Sequence, residues 1–205
     1  QISVTSGTTL TNRAHLTVTK SNGITGAGSF YNGDGTTDAH LEIDSPSAVN
    51  VSFFDCSSVD NIVEYNRAGV QTIEIPNGSQ YYNLVMDGSA STKNLNANIT
   101  ILGDLLIRST LDANGNTISI KGDWEDLGTF TYGTSTVVFN GTSDQTISAP
   151  YNPTGETFYN VIVNKGSGNL LLDDDVTARN SLSMTEGLIE NESSCGEIEN
   201  GWNFL

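Results

Sequence analysis

The stretch Tyr81-Tyr82-Asn83-Leu84-Val85-Met86 returns as Phe158-Tyr159-Asn160-Val161-Ile162-Val163, an offset of 77 positions (158 − 81). The offset holds without a gap, so that Leu95, Ile99, Leu105 and Ile107 answer to Leu172, Val176, Leu182 and Met184. Upstream, Gln71-Thr72-Ile73 answers to Gln145-Thr146-Ile147 at an offset of 74 (145 − 71), and Val63-Glu64-Tyr65-Asn66 to Val137-Val138-Phe139-Asn140. Downstream, Trp124 answers to Trp202 at an offset of 78 (202 − 124). Self-similarity at a fixed period marks an architecture built by stacking, because each unit carries an apolar face that only its neighbours can cover.

The units read as strands. Ile118-Ser119-Ile120, Thr136-Val137-Val138-Phe139 and Thr157 to Val163 are β-branched or aromatic and partly alternating. Between such runs lie Asn22-Gly23, Asn32-Gly33, Asp87-Gly88, Asn114-Gly115 and similar pairs, which supply the positive φ of tight turns. A period near 77 is too long for one coil of a solenoid, whose strands and turns use on the order of 20 to 30 residues, and it predicts about three coils per repeat. The fold expected is all-β, a parallel β-helix or β-solenoid with inward Leu, Ile, Val and Phe, and with Asn, Thr and Ser ladders along the outside. Tandem β-sandwich repeats are the alternative. Residues 1–205 then form a single elongated fragment, with a diverged repeat at 1–62, a repeat at 63–136 and a partial repeat at 137–205. Because Trp202 to Leu205 falls where the previous copy runs on into Gly128-Thr129-Phe130, the chain stops within a unit, and the natural protein is expected to continue past Leu205.

The balance of 24 acidic against 8 basic residues gives a net charge of −16, which argues against nucleic acid or an anionic membrane as a partner. No stretch approaches the roughly 18 apolar residues of a membrane helix, so no membrane insertion of this segment is expected. If coils stack about 4.8 Å apart, Cys56 and Cys195 stand several coils from each other, beyond the ~7 Å that a disulfide spans, and both are expected as free, mostly buried thiols or as thiols with partners outside this fragment.

One segment has the residue types of a cation site. Asn32, Asp34, Thr36 and Asp38 place oxygen side chains at alternate positions with glycines between them, as the first ligands of a calcium loop require. Ile43 stands where such a loop would place its bidentate Glu, and the same residues also make an ordinary Asx turn. No cofactor is otherwise required. Asp173-Asp174-Asp175 aligns with Asn96-Ala97-Asn98, a turn, which makes it a solvated corner. His15 and His40 are far apart in sequence and show no zinc spacing. The recurrence of Trp124 at Trp202, and of Tyr82 at Tyr159, favours packing over ligand stacking, since packing must repeat and a ligand platform need not. No catalytic residue is assigned.

The run Gly128-Thr129-Phe130, Ser135 to Thr142, Gln145-Thr146-Ile147 and Thr157 to Lys165 resembles a repeat of very large secreted proteins of Bacteroidota, among them type IX secretion substrates and gliding-motility adhesins. The resemblance covers about Val63 to the end. It implies a non-enzymatic extracellular structural or adhesive module, part of a long secreted or surface-anchored protein at the bacterial cell surface. An extracellular surface, a polysaccharide or the secretion machinery would be its partner. Two other readings stand beside it: a carbohydrate-active β-helix that binds or cleaves polysaccharide, and a secretion substrate engaged with its export machinery.

Overall fold

Short strands, each ended by a Gly, Asn, Asp or Ser turn, wind the chain into stacked coils of about 21 residues, about nine in all. The computed structural model describes residues 1–191 and the strand Trp202–Phe204. Strand makes up 56% of the structure, and the described residues contain no α-helix. Every strand pairing is parallel, one coil upon the next, which establishes the β-solenoid and excludes antiparallel sandwiches.

Each coil contributes a strand to three faces. The second face is the most continuous, running His15–Val18, His40–Ile43, Ile62–Tyr65, Asn83–Met86, Leu105–Ile107, Trp124–Asp126, Gln145–Ser148 and then 170–172 and 188–191. The first face passes through Ile99–Ile101, Thr117–Ile120, Thr136–Phe139, 160–163 and 181–184. The third face holds Val70–Thr72, Thr92–Asn94, Thr110–Asp112 and Thr129–Thr131.

Strand alternation sends every second residue inward, and parallel register stacks those residues into columns. One column is Leu41, Val63, Leu84, Leu105, Trp124 and Ile147, each at most 1% exposed. Another is Ile101, Ile120, Phe139 and Val163, all fully buried. Burial of each such side chain contributes about 1.5–3 kcal/mol, and a coil gains it only when both neighbours are in place. Cys56 is a free, fully buried thiol whose backbone bridges to Tyr81; Cys195 lies outside the described residues.

The corners differ from expectation. Threonine ladders do line the outside, as in Thr92–Thr110–Thr129. Asparagines pair outside as well, as Asn180 does with Asn160, but one ladder is inside: Asn12 donates to Asn32 Oδ1 at 2.8 Å, Asn32 to Asn61 Oδ1 at 3.2 Å, and all three are at most 9% exposed. The amides also cap the carbonyls of His40, Ile62 and Cys56, so they satisfy turn backbone that would otherwise be buried without partners. Two further corners use a glutamine and a lysine. Gln71 Nε2 donates to the carbonyls of Ile43 and Ser45, while Lys93 Nζ from the next coil donates to Gln71 Oε1 at 3.0 Å and to the Arg67 carbonyl at 2.6 Å. Gln145 and Lys165 repeat this arrangement on the carbonyls of Ile120, Gly122, Gly141 and Ser143. Burial lowers the pKa of both lysines, that of Lys93 to about 8, but the ring of carbonyl acceptors suits the ammonium form.

The repeat is not a whole number of coils. From Leu84 on the second face to its sequence equivalent Val161 on the first, the chain passes eleven strand positions, counted through Thr92–Asn94, Ile99–Ile101 and onward to 160–163. With three strands per coil this is three and two-thirds coils, not three. The corners agree: Gln71 lies on the third face, and its equivalent Gln145 on the second. Over the stretch from Gln71 to Ile107 a repeat thus reappears turned by one face, whereas Trp124 on the second face answers to Trp202 on the third.

Lys93→Met leaves the Gln71 oxygen and the Arg67 carbonyl without their lysine donor, and Lys165→Met does the same to the carbonyls of Gly141 and Ser143, while Gln145 Oε1 keeps the Gly141 amide. Each is expected to cost about 1–3 kcal/mol in urea unfolding with little change in m-value. A loss of only a few tenths would show that the corners are held by backbone pairing alone.

Candidate ligand cleft

The third face is interrupted twice. The first break lies between Val49–Asp55 and Val70–Thr72, which do not pair. Side chains fill it: the Glu74 carboxylate accepts from the backbone N–H groups of Ala48 and Val49, and Asn77 Oδ1 accepts from Phe54 N at 2.6 Å. The second break, between Thr129–Thr131 and 156–158, stays open. The outer edge of Thr129–Thr131 has no strand partner, and the next strand of that face pairs only onward to 176–178. A cleft of about 370 Å³ occupies the gap.

The cause of the break is a loop. Where the preceding two coils turn from second to third face through two residues, this one uses residues 149–155. The loop is internally braced. Asn152 N donates to the Ala149 carbonyl and Gly155 N to the Asn152 carbonyl, and Asn152 Oδ1 accepts from the amide and hydroxyl of Thr154. Gly155 has φ 70°, and a Cβ there would come within 1.9 Å of the Asp175 carbonyl oxygen, so only glycine lets the loop descend onto the next coil. The brace presents Tyr151 to solvent, 76% exposed, at the cleft that Tyr132 also lines.

The floor is built from an unusual inward column. Val18, Ile43, Tyr65, Met86 and Ile107 stack in register, and the next residue in that column is Asp126. Asp126 is 4% exposed and accepts from Gly128 N at 2.8 Å. Glu156, 2% exposed, reaches it from the third face and accepts from Trp124 Nε1 at 2.9 Å and from Thr157 N at 2.7 Å. Trp124 in turn is boxed edge-on by Phe130, Phe139 and Phe158, with ring centres 4.8–6.4 Å away. Burial, and then the Asp126 charge, push the pKa of Glu156 up to about 8; burial also raises that of Asp126. Two carboxyl groups this close share one proton, with Glu156 as the acid and Asp126 as the carboxylate it donates to. Of the two, only Glu156 lines the cleft.

The residues singled out by sequence fall elsewhere. In the calcium-type loop, the Asn32 side chain belongs to the buried ladder. Asp34 Oδ1 accepts from the amides and hydroxyls of Thr36 and Thr37, while its Oδ2 pairs with Arg13 at 2.7 Å. These bonds hold the Asp34 pKa down at about 2 and form an Asx turn; no side-chain bond ties Asp38 to them. Among the described residues no group of three or more His, Cys, Asp and Glu is disposed to hold a metal ion. Asp173, Asp174 and Asp175 form a corner, as expected, in which Asp174 accepts from Ala149 N at 2.7 Å. Trp124 is core; the side chain of Trp202 lies outside the described residues. His15 and His40, 25 residues apart (40 − 15), lie one coil above the other: their rings stack at 4.5 Å, and each pairs with a glutamate, Glu42 or Glu64, at 2.9 Å.

Sequence reasoning missed the Asp126–Glu156 pair. Its signal was available only in register: an aspartate at a position where five preceding coils place an apolar residue. Comparison with family models, with curated proteins and with solved structures finds no match to the chain.

Glu156 binds its proton more tightly in the folded chain than in the unfolded one. Its contribution to stability is therefore greatest at low pH, and it declines as pH rises from about 4.5 through about 8. Thermal melts across this window should show a falling melting temperature for the natural chain and a distinctly flatter profile for Glu156→Gln, which stays neutral throughout. Parallel profiles for the two would remove the shared proton from the floor of the cleft.

Proposed function

We propose that the chain is a non-enzymatic structural and adhesive module of the bacterial cell surface, a stiff segment that spaces or presents binding surfaces outside the cell. The observation that carries this reading is the unbroken stack of second-face strands, about nine coils at ~4.8 Å, which makes a rod on the order of 40 Å long. Force along such a rod loads the interstrand hydrogen bonds of every coil in series. The net charge of −16 keeps neighbouring rods apart, and the outer threonine ladders leave the faces polar. The resemblance to Bacteroidota surface repeats supports the same location, with type IX export as the route that resemblance implies.

Cleavage of polysaccharide is the weaker reading of the cleft. Glycoside hydrolysis uses two carboxyl groups flanking the scissile bond, and here one carboxyl lines the cleft while its neighbour is sealed behind it.

Antibodies raised against the chain should label intact, unpermeabilised cells of its source, and the purified chain added in excess should compete with the attachment of those cells to a surface. Labelling that needs permeabilisation would overturn the location, and attachment unaffected by the competitor would overturn the adhesive role.

A further inference from the structure

The open break in the third face does not end at the cleft. A shallower depression, lined by Ser91, Thr92, Arg108, Ser109 and Thr110, meets it at Gly128 and Thr129, so the two form one groove along the solenoid axis. Its polar groups recur from coil to coil: Thr92, Thr110 and Thr129 are in register on three successive strands, with hydroxyl groups spaced by the ~4.8 Å between coils. That spacing is close to the length of one pyranose ring. At the far end the groove opens beside Tyr151, an exposed ring held on a loop already fixed by its own hydrogen bonds.

We propose that this groove binds a neutral oligosaccharide, with one sugar ring stacked on Tyr151 and the following rings running past Thr129, Thr110 and Thr92. Each feature matches a need of that ligand. A sugar presents an apolar C–H face, which an aromatic ring fits, and a rim of hydroxyls, which threonine and asparagine side chains both donate to and accept from. A braced loop loses little freedom on binding, which is what a weakly hydrophobic ligand requires. The groove's cation, Arg108, already has Asp87 at 3.5 Å, so an acidic sugar would meet a surface that is neutral locally and strongly negative overall. Glu156 closes the floor with its proton committed to Asp126 and its oxygens to Trp124 and Thr157, so it shapes the cleft and leaves the bonding to the threonines. This assignment stands on the groove alone and does not depend on the chain's location.

The test is binding of the purified chain to an array of neutral oligosaccharides of increasing length, with uronate-containing oligosaccharides alongside, followed by titration calorimetry on the best ligand. The expected result is retention of a neutral series whose affinity rises from one ring to four. Tyr151→Ala should weaken binding about tenfold or more while Tyr151→Phe keeps it, because stacking and not the hydroxyl is used. Tyr151 is exposed, so both variants should melt as the natural chain does. Thr110→Val should weaken the longer ligands and spare the shortest. Absence of binding to the whole neutral series, a preference for uronates, or Tyr151→Ala binding as tightly as the natural chain would each overturn the proposal.

Discussion

Register between coils is the constraint on which everything else depends. A single coil of about 21 residues has no interior of its own; Leu84 is covered because Val63 and Leu105 lie above and below it in the same column. The backbone bonds that fix those neighbours also fix the side chains, since a slip of one residue would turn Leu84 outward and Asn83 or Val85 inward. The buried polar corners serve the same end. Asn32 reaches both Asn12 and Asn61, and Lys93 reaches Gln71, so each ties adjacent coils at one register and at no other.

The same constraint explains how the cleft can exist. Inserting residues 149–155 on one face leaves the other two paired across the insertion: Thr136–Phe139 still meets 160–163, and Gln145–Ser148 still meets 170–172. Two intact ladders hold the coils in register while the third opens. At the earlier break Glu74 and Asn77 bridge the gap with side-chain oxygens. A solenoid can therefore carry a local irregularity on one side at modest cost in stability, and that is where a recessed surface can form.

Much of the fold was legible in the sequence, because periodic apolar residues and Asn-Gly turns record both the strands and their stacking. The failures have a common cause. Alignment of copies compares residues that share an ancestor, whereas contacts join residues one coil apart, and those two relations differ here. The gapless offset sets Lys93 against Leu170, so it could not reveal that Lys93 and Lys165 occupy like corners. His15 and His40 share no motif in the sequence, and only the length of their coil brings them together. In the sequence Asp126 is one of 24 acidic residues; only its column, apolar in every earlier coil, marks it as exceptional. The asparagines were expected outside on general polarity, but their amides are the groups best able to satisfy two turn carbonyls in a buried corner.

The two-thirds remainder in the repeat has a consequence for what the rod can display. Were the repeat a whole number of coils, duplication would return each outer residue to the face that holds its twin, and every copy would show the same side of the rod. Instead each copy is swung by a third of a revolution about the axis. A surface feature that arose once and was copied with its repeat points in a new direction at each occurrence, so a longer array of this kind would act less like a ribbon with one working side than like a spiral stair, offering its treads to every quarter.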